Sequence, residues 1–201
     1  MKNTGNQTIA VDGIDLHYDD AGSGNPVFLL QASLKSDLAD RLAQGFRVIA
    51  FDVRDSQDRQ HVGNLLARAA NRLGIARYSV IAESELAPAA VAHAIDFSDS
   101  VEVLILVGPR MDGSKGAFID LPLEQVNAPT LVLSGTRDQL VAPETGCIYA
   151  RRIPKCFYTL VYDAGHDIGA DRPQALHAVV RDFLEHREKF VIAHESSVID
   201  P

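Results

Sequence analysis

Between residues 8 and 186 the chain alternates two kinds of apolar pattern. Residues 27–30, 46–51, 78–82, 101–107, 129–134 and 157–162 are short runs, apolar at most positions. Their length and continuity predict strands buried on both faces. Between these runs lie longer stretches with apolar residues at helical spacing. Leu38 and Leu42 share one face of residues 36–44, and Leu65, Leu66, Ala69 and Leu73 share one face of residues 62–73. Gly74 stands where that second helix should stop. Residues 143–152 begin with a proline suited to a first helical turn. Residues 174–186 place Leu176, Val179, Val180, Phe183 and Leu184 on one side. Residues 8–18 differ, alternating around Asp12-Gly13 as a two-residue hairpin does.

Strand followed by helix, repeated along the chain, predicts a parallel sheet covered on both faces. The expected fold class is therefore α/β, a three-layer α/β/α sandwich around a mostly parallel sheet. Residues 1–186 read as a single domain without internal repeats, and residues 187–201 as a C-terminal tail. Within the tail, residues 190–193 suit an edge strand or an interface with a second copy, hence a homodimer; disorder at its end is the third reading.

Composition narrows the function classes. The 201 residues are 46% hydrophobic, enough for a sizeable core. A net charge of −8 argues against nucleic acid or an anionic membrane as the main partner. No apolar run is long enough to span a bilayer, and the first residues lack the apolar core of a secretory signal. A cytoplasmic location is the expectation. Cys147 and Cys156 are isolated, which fits either a disulfide or a reduced pair; a reduced pair is expected in the cytoplasm. No Cys/His cluster suggests a metal. No G-x-G-x-x-G follows a strand and no phosphate-cradling loop is evident, so no cofactor is expected.

The candidate chemistry centres on residues 79–92, SVIAESELAPAAVA. An apolar strand breaks at Glu83-Ser84-Glu85 and an alanine-rich helical run begins. A sharp strand-to-helix corner forces the serine side chain out of the sheet. It also aims the first helical N–H groups at whatever the serine attacks. Taken alone, Ser84 equally suits a helix N-cap. Two later strands lead into Gly135-Thr136-Arg137-Asp138 and Asp163-Ala164-Gly165-His166. Each of Asp138 and His166, taken alone, also fits a loop-bracing role.

In this order the chain resembles the α/β-hydrolase fold over about residues 8–186. Leu73-Gly74-Ile75 with Tyr78-Ser79-Val80-Ile81 is similar to the approach to that family's nucleophile elbow. The run from Ala128 to Leu133, with Gly135, Asp138, Val141 and Pro143, is similar to its acid-bearing strand end. Gly165-His166-Asp167, Arg172-Pro173 and Asp182-Phe183-Leu184 are similar to its histidine loop and last helix. The resemblance implies a triad in the chain order Ser, Asp, His, with Ser84 as nucleophile, Asp138 as acid and His166 as base. Asp112, after the preceding strand, is the alternative acid.

The sequence departs from the family pattern at several places. Ala82 and Leu86 occupy the two glycine positions of G-x-S-x-G. Gln31-Ala32-Ser33 stands where the family usually has His-Gly. Backbone donors need no particular side chain, so the N–H groups of Ser33 and Glu85 are the expected oxyanion donors. The Glu85 carboxylate would oppose catalysis if it lay beside the oxyanion, and would cost little pointing into solvent. Too few residues lie between 101–107 and 129–134 for a helical cap, so a capless, open site is expected. Loops 31–37, 53–60, 108–127 and 163–170 would form it, with Gln31 and Met111 as candidate substrate contacts. The implied activity is serine hydrolysis of a small-molecule ester, thioester or related acyl substrate. The departures keep a second reading open, a catalytically weak or inactive hydrolase-like binding or interaction protein.

Overall fold

The computed structural model describes residues 4–11, 13–31, 36–53, 59–111, 121–189 and 198–199. One sheet runs through them. β1 (Thr4–Val11) and β2 (Ile14–Gly22) form an antiparallel hairpin in which Val11 faces Ile14 across the turn. β2 then pairs antiparallel with β4 (Arg47–Asp52). The remaining ladders are parallel: β3 (Pro26–Gln31), β5 (Tyr78–Glu83), β6 (Val101–Val107), β7 (Thr130–Gly135), β8 (Cys156–Val161) and the two-residue β9 (Val198–Ile199). The order across the sheet is β1-β2-β4-β3-β5-β6-β7-β8-β9.

The continuous apolar runs follow from two buried faces. On β5, Val80 and Ala82 face one core and Ile81 the other; on β6, Leu104 and Leu106 are separated in the same way from Val103, Ile105 and Val107. One face is covered by α2 (Arg59–Arg72), α3 (Ala87–Asp96) and α4 (Pro143–Arg152). The other is covered by α1 (Asp37–Leu42), the short α5 (Ile168–Asp171) and α6 (Pro173–His186). The expected three-layer sandwich is thus the observed architecture. The tail's expected strand at 190–193 lies outside the described residues, while Val198–Ile199 extends the sheet edge beside β8.

α3 packs closely because its inward face is built from alanine. Ala87, Ala89, Ala90 and Ala94 are all fully buried. Its one inward polar side chain, His93, is fully enclosed and hydrogen-bonded at both nitrogens. Nδ1 donates to the Gly63 carbonyl at 2.9 Å, so Nε2 accepts from the Tyr78 hydroxyl at 2.8 Å. This neutral imidazole locks α2, α3 and β5 together beneath the serine corner.

Strand order reverses at β3, whose chain neighbours in the sheet, β4 and β5, lie on its two sides. Open α/β sheets form their ligand crevices at such a switch, outside the carboxyl ends of the strands. Ser84 leaves the end of β5, Asp138 follows β7 and His166 follows β8.

Candidate active site

Ser84 sits at the corner with φ +50°, one of three non-glycine residues with positive φ among the described residues. A single tight 3-10 turn, Ser84–Leu86, carries the chain from β5 into α3. A left-handed serine is strained, and such strain persists only where the surroundings enforce it. Enforcement here comes from both sides. The Ser84 carbonyl accepts from the Arg110 N–H at 3.1 Å, tying the corner to the segment after β6. Ala82 is fully buried, and Leu86 packs against the α2–α3 core. The corner therefore forms with alanine and leucine in place of both glycines.

Asp138 and His166 are brought to Ser84 by two interlocked turns. The Thr136 N–H donates to the Val161 carbonyl at 3.0 Å, and the Arg137 N–H donates to the Ala164 carbonyl at 2.8 Å. Thr136 Oγ1 accepts from the Asp163 N–H at 3.0 Å, and Arg137 forms an ion pair with Asp163. Gly135 makes the interlock possible, since a Cβ there would lie 2.2 Å from the Gly165 carbonyl oxygen. Gly108 does the same behind the imidazole. It has φ +54°, and a Cβ would fall 3.2 Å from the His166 carbonyl oxygen and 3.4 Å from the ring Cε1. Asp171 holds the histidine loop from the far side by accepting from the Gly165 N–H at 2.7 Å. Asp167 caps α5 through the Ala170 N–H.

The three candidate side chains form one hydrogen-bonded chain. Ser84 Oγ lies 2.8 Å from His166 Nε2, and His166 Nδ1 lies 2.9 Å from Asp138 Oδ2. The Asp138 side chain is fully enclosed and that of His166 is 19% exposed. The other oxygen, Asp138 Oδ1, accepts from the N–H groups of Leu140 at 2.8 Å and Val141 at 2.9 Å. Three donors thus fix the carboxylate. With Asp138 ionised, Nδ1 carries the proton and Nε2 is left to accept from the Ser84 hydroxyl.

The other sequence candidates fall as follows. Glu85 is exposed, and its charge reaches the neighbouring Glu83 carboxyl. Its N–H lies in the first turn after Ser84, where helix donors lack an intrahelical acceptor. Gln31 ends β3 at the same rim; its side chain, Ser33 and Asp112 lie outside the described residues. Met111 is buried against the α2–α3 core, so it is part of the wall under the corner. Among the described residues no three His, Cys, Asp or Glu side chains are grouped as metal ligands. No described helix is long and apolar enough to cross a membrane.

One feature of the site was missed by sequence reasoning. Glu83, immediately before the serine, is half-buried, and its carboxyl is pushed up to about 7 by burial, then by the charges of Asp167 and Glu85. Its place on the α6 side of β5 is the signal, because the period-2 alternation puts it on the same face as Ile81.

Glu83 and His93 have opposite effects on stability. Burial pushes His93 down to about 4 from its ordinary 6.5. Below pH 6.5 the unfolded chain binds this proton more readily, so His93 removes stability as pH falls. Glu83 is raised from 4.5 to about 7, so the folded chain holds its proton more tightly and stability is lost as pH rises through that interval. Between about pH 4.5 and 6.5 the two slopes oppose each other. Glu83→Gln is expected to steepen the loss of thermal stability on acidification across that window, and His93→Phe to lessen it. Melting temperatures measured against pH check both, and a Glu83→Gln slope equal to wild type refutes the Glu83 reading.

No protein-family model matches the sequence, and no curated protein matches it. Solved structures do match in shape. A serine hydrolase involved in carbazole degradation (the CarC enzyme) is 17% identical with a TM-score of 0.78, over 90% of this chain and 98% of that one. Naproxen esterase (carboxylesterase NP) from Bacillus subtilis is 15% identical with a TM-score of 0.78, over 89% and 90% of the two chains. A CIB-like hydrolase from Thermoplasma acidophilum is 19% identical with a TM-score of 0.75, over 89% and 96%. The chain has the α/β-hydrolase fold.

Proposed function

We propose, on the premise of that fold, that the chain is a serine hydrolase acting on a small ester, thioester or related acyl substrate. The observation that supports this reading most is the unbroken hydrogen-bonded chain from Ser84 through His166 to Asp138. The structural neighbours are esterases and hydrolases, which is consistent with it.

A serine hydroxyl is a weak nucleophile until a neighbouring base removes its proton. In the proposed mechanism Ser84 Oγ attacks the substrate carbonyl carbon while His166 Nε2 takes the hydroxyl proton. Asp138 holds the ring in the tautomer that leaves Nε2 free and stabilises the imidazolium that forms. The carbonyl oxygen becomes an oxyanion, for which the Glu85 N–H is the proposed donor, with the Ser33 N–H as the second donor that the family resemblance implies. The tetrahedral intermediate collapses, His166 returns the proton to the leaving alcohol or thiol, and an acyl-Ser84 ester remains. Water then attacks that ester, with His166 as base, and releases the acid. An inactive binding scaffold would not require a strained serine aimed at an imidazole fixed by a buried carboxylate.

Fluorophosphonate labelling is the direct test. Wild type is expected to label stoichiometrically on Ser84, Ser84→Ala not to label, and wild type to hydrolyse p-nitrophenyl acetate. Labelling that persists in Ser84→Ala, or no labelling and no hydrolysis by folded wild type, would overturn the proposal.

A further inference from the structure

We infer that the rim of the sheet opposite Ser84 carries a second site, a cleft that binds a compact anion bearing two or more negative charges. The cleft encloses about 480 Å³ and is lined by Arg77, Ser98, Glu102, Asn127, Arg187 and Lys189 among others. Arg77 precedes β5, Glu102 is the second residue of β6 and Asn127 lies shortly before β7. These are the amino ends of strands whose carboxyl ends carry Ser84 and Asp138. A six-residue strand is about 20 Å long, so the depth of the sheet separates the two places.

The charge arrangement points to an anion. Glu102 is shared between two guanidiniums: Arg77 Nε lies 3.1 Å from Oε1, and Arg187 Nη2 donates to Oε2 at 3.0 Å. Among the described side chains that line the cleft, Glu102 is the one carboxylate set against the two arginines and Lys189. His186, also on the wall, is held by Asp182, whose Oδ1 is 2.8 Å from Nδ1. A cationic surplus in one cleft runs against the net charge of −8 of the whole chain.

The backbone supports the same reading. Arg187 has φ +54°, an unfavourable conformation for a residue with a Cβ. It ends α6 in this conformation with its guanidinium on Glu102. Arginine forks match the paired oxygens of phosphates and carboxylates, and the volume lies in the range of small-ligand sites. Ser98 and Asn127 add neutral hydrogen-bond donors to the wall.

The test uses the full chain with pyrophosphate and citrate as probes and acetate as the monovalent control, at about 50 mM NaCl to limit screening. Calorimetry is expected to give 1:1 binding of pyrophosphate with Kd at or below about 1 mM. Amide shifts should be confined to residues 76–78, 98–102, 127–130 and 186–189. Citrate binding equally well would assign the cleft to multivalent anions generally, and pyrophosphate alone to phosphate groups. Arg77→Ala and Lys189→Ala, both at exposed side chains, are each expected to weaken binding severalfold with unchanged melting temperature. Glu102→Gln removes the internal competitor and is expected to tighten it. No saturation by about 10 mM of either probe, binding unaffected by both alanine variants, or weaker binding in folded Glu102→Gln would overturn the inference.

Discussion

Ser84→Ala and His166→Ala are each expected to lower kcat/KM for p-nitrophenyl acetate by about 10⁴- to 10⁶-fold, and the double variant to lose no more than the worse single one. The expectation rests on the 2.8 Å contact between Ser84 Oγ and His166 Nε2. Groups that act on one proton in one step fail together. Without the imidazole the hydroxyl keeps its proton, and without the hydroxyl the imidazole has nothing to activate. What remains in each variant is binding and any oxyanion stabilisation from backbone donors, which neither substitution touches. Steady-state rates of the two singles and the double, with melting temperatures to establish folding, decide the matter. Additive losses, or a His166→Ala variant within tenfold of wild type, would mean that the two side chains do not share a step.

The sheet was legible because its strands are buried on both faces. Residues 101–107 read as apolar at nearly every position, and from Val103 to Val107 the structure divides them between two cores by simple alternation. The amphipathic helices were legible for the complementary reason, as with Leu176, Val179, Val180, Phe183 and Leu184, all buried on the inner face of α6. Ser84, Asp138 and His166 were each ambiguous alone. Their shared position after strand ends, in a recognisable chain order, is what singled them out, and the fold brings them within hydrogen-bond distance. What was not legible depends on contacts distant in sequence. Gly108 reads as an ordinary turn residue until the His166 ring is placed against it. The burial of Glu83 depends on the sheet and on charges from Asp167 and Glu85. α5 is only four residues long, too short for a periodicity signal, and is held by the Asp167 cap. The cationic cleft joins Arg77, Glu102 and Arg187 across more than a hundred residues, and no local pattern links them.

Asp138→Asn is expected to lower kcat by about 10⁴-fold while leaving the fold intact. The reason lies in how the two carboxylate oxygens are used. Oδ1 accepts from the N–H groups of Leu140 and Val141, and Oδ2 accepts from His166 Nδ1. An asparagine keeps the first pair satisfied only by placing its carbonyl oxygen at the Oδ1 position. Its amide nitrogen then faces the imidazole as a donor, so His166 Nδ1 must become the acceptor. The ring proton moves to Nε2, and the nitrogen beside Ser84 can no longer take a proton. The opposite amide orientation would set the side-chain NH2, in the enclosed Asp138 position, against the Leu140 and Val141 N–H groups, donor facing donor, which is worse than a lost hydrogen bond. Thermal unfolding is therefore expected to change little, in contrast to Asp138→Ala, which strands both N–H groups and should be visibly less stable. The fluorophosphonate reaction gives an independent reading, because its slowing in Asp138→Asn follows the loss of base and not of substrate fit. If Asp138→Asn labels and turns over at the wild-type rate, the carboxylate does not set the tautomer and Asp138 is not the triad acid.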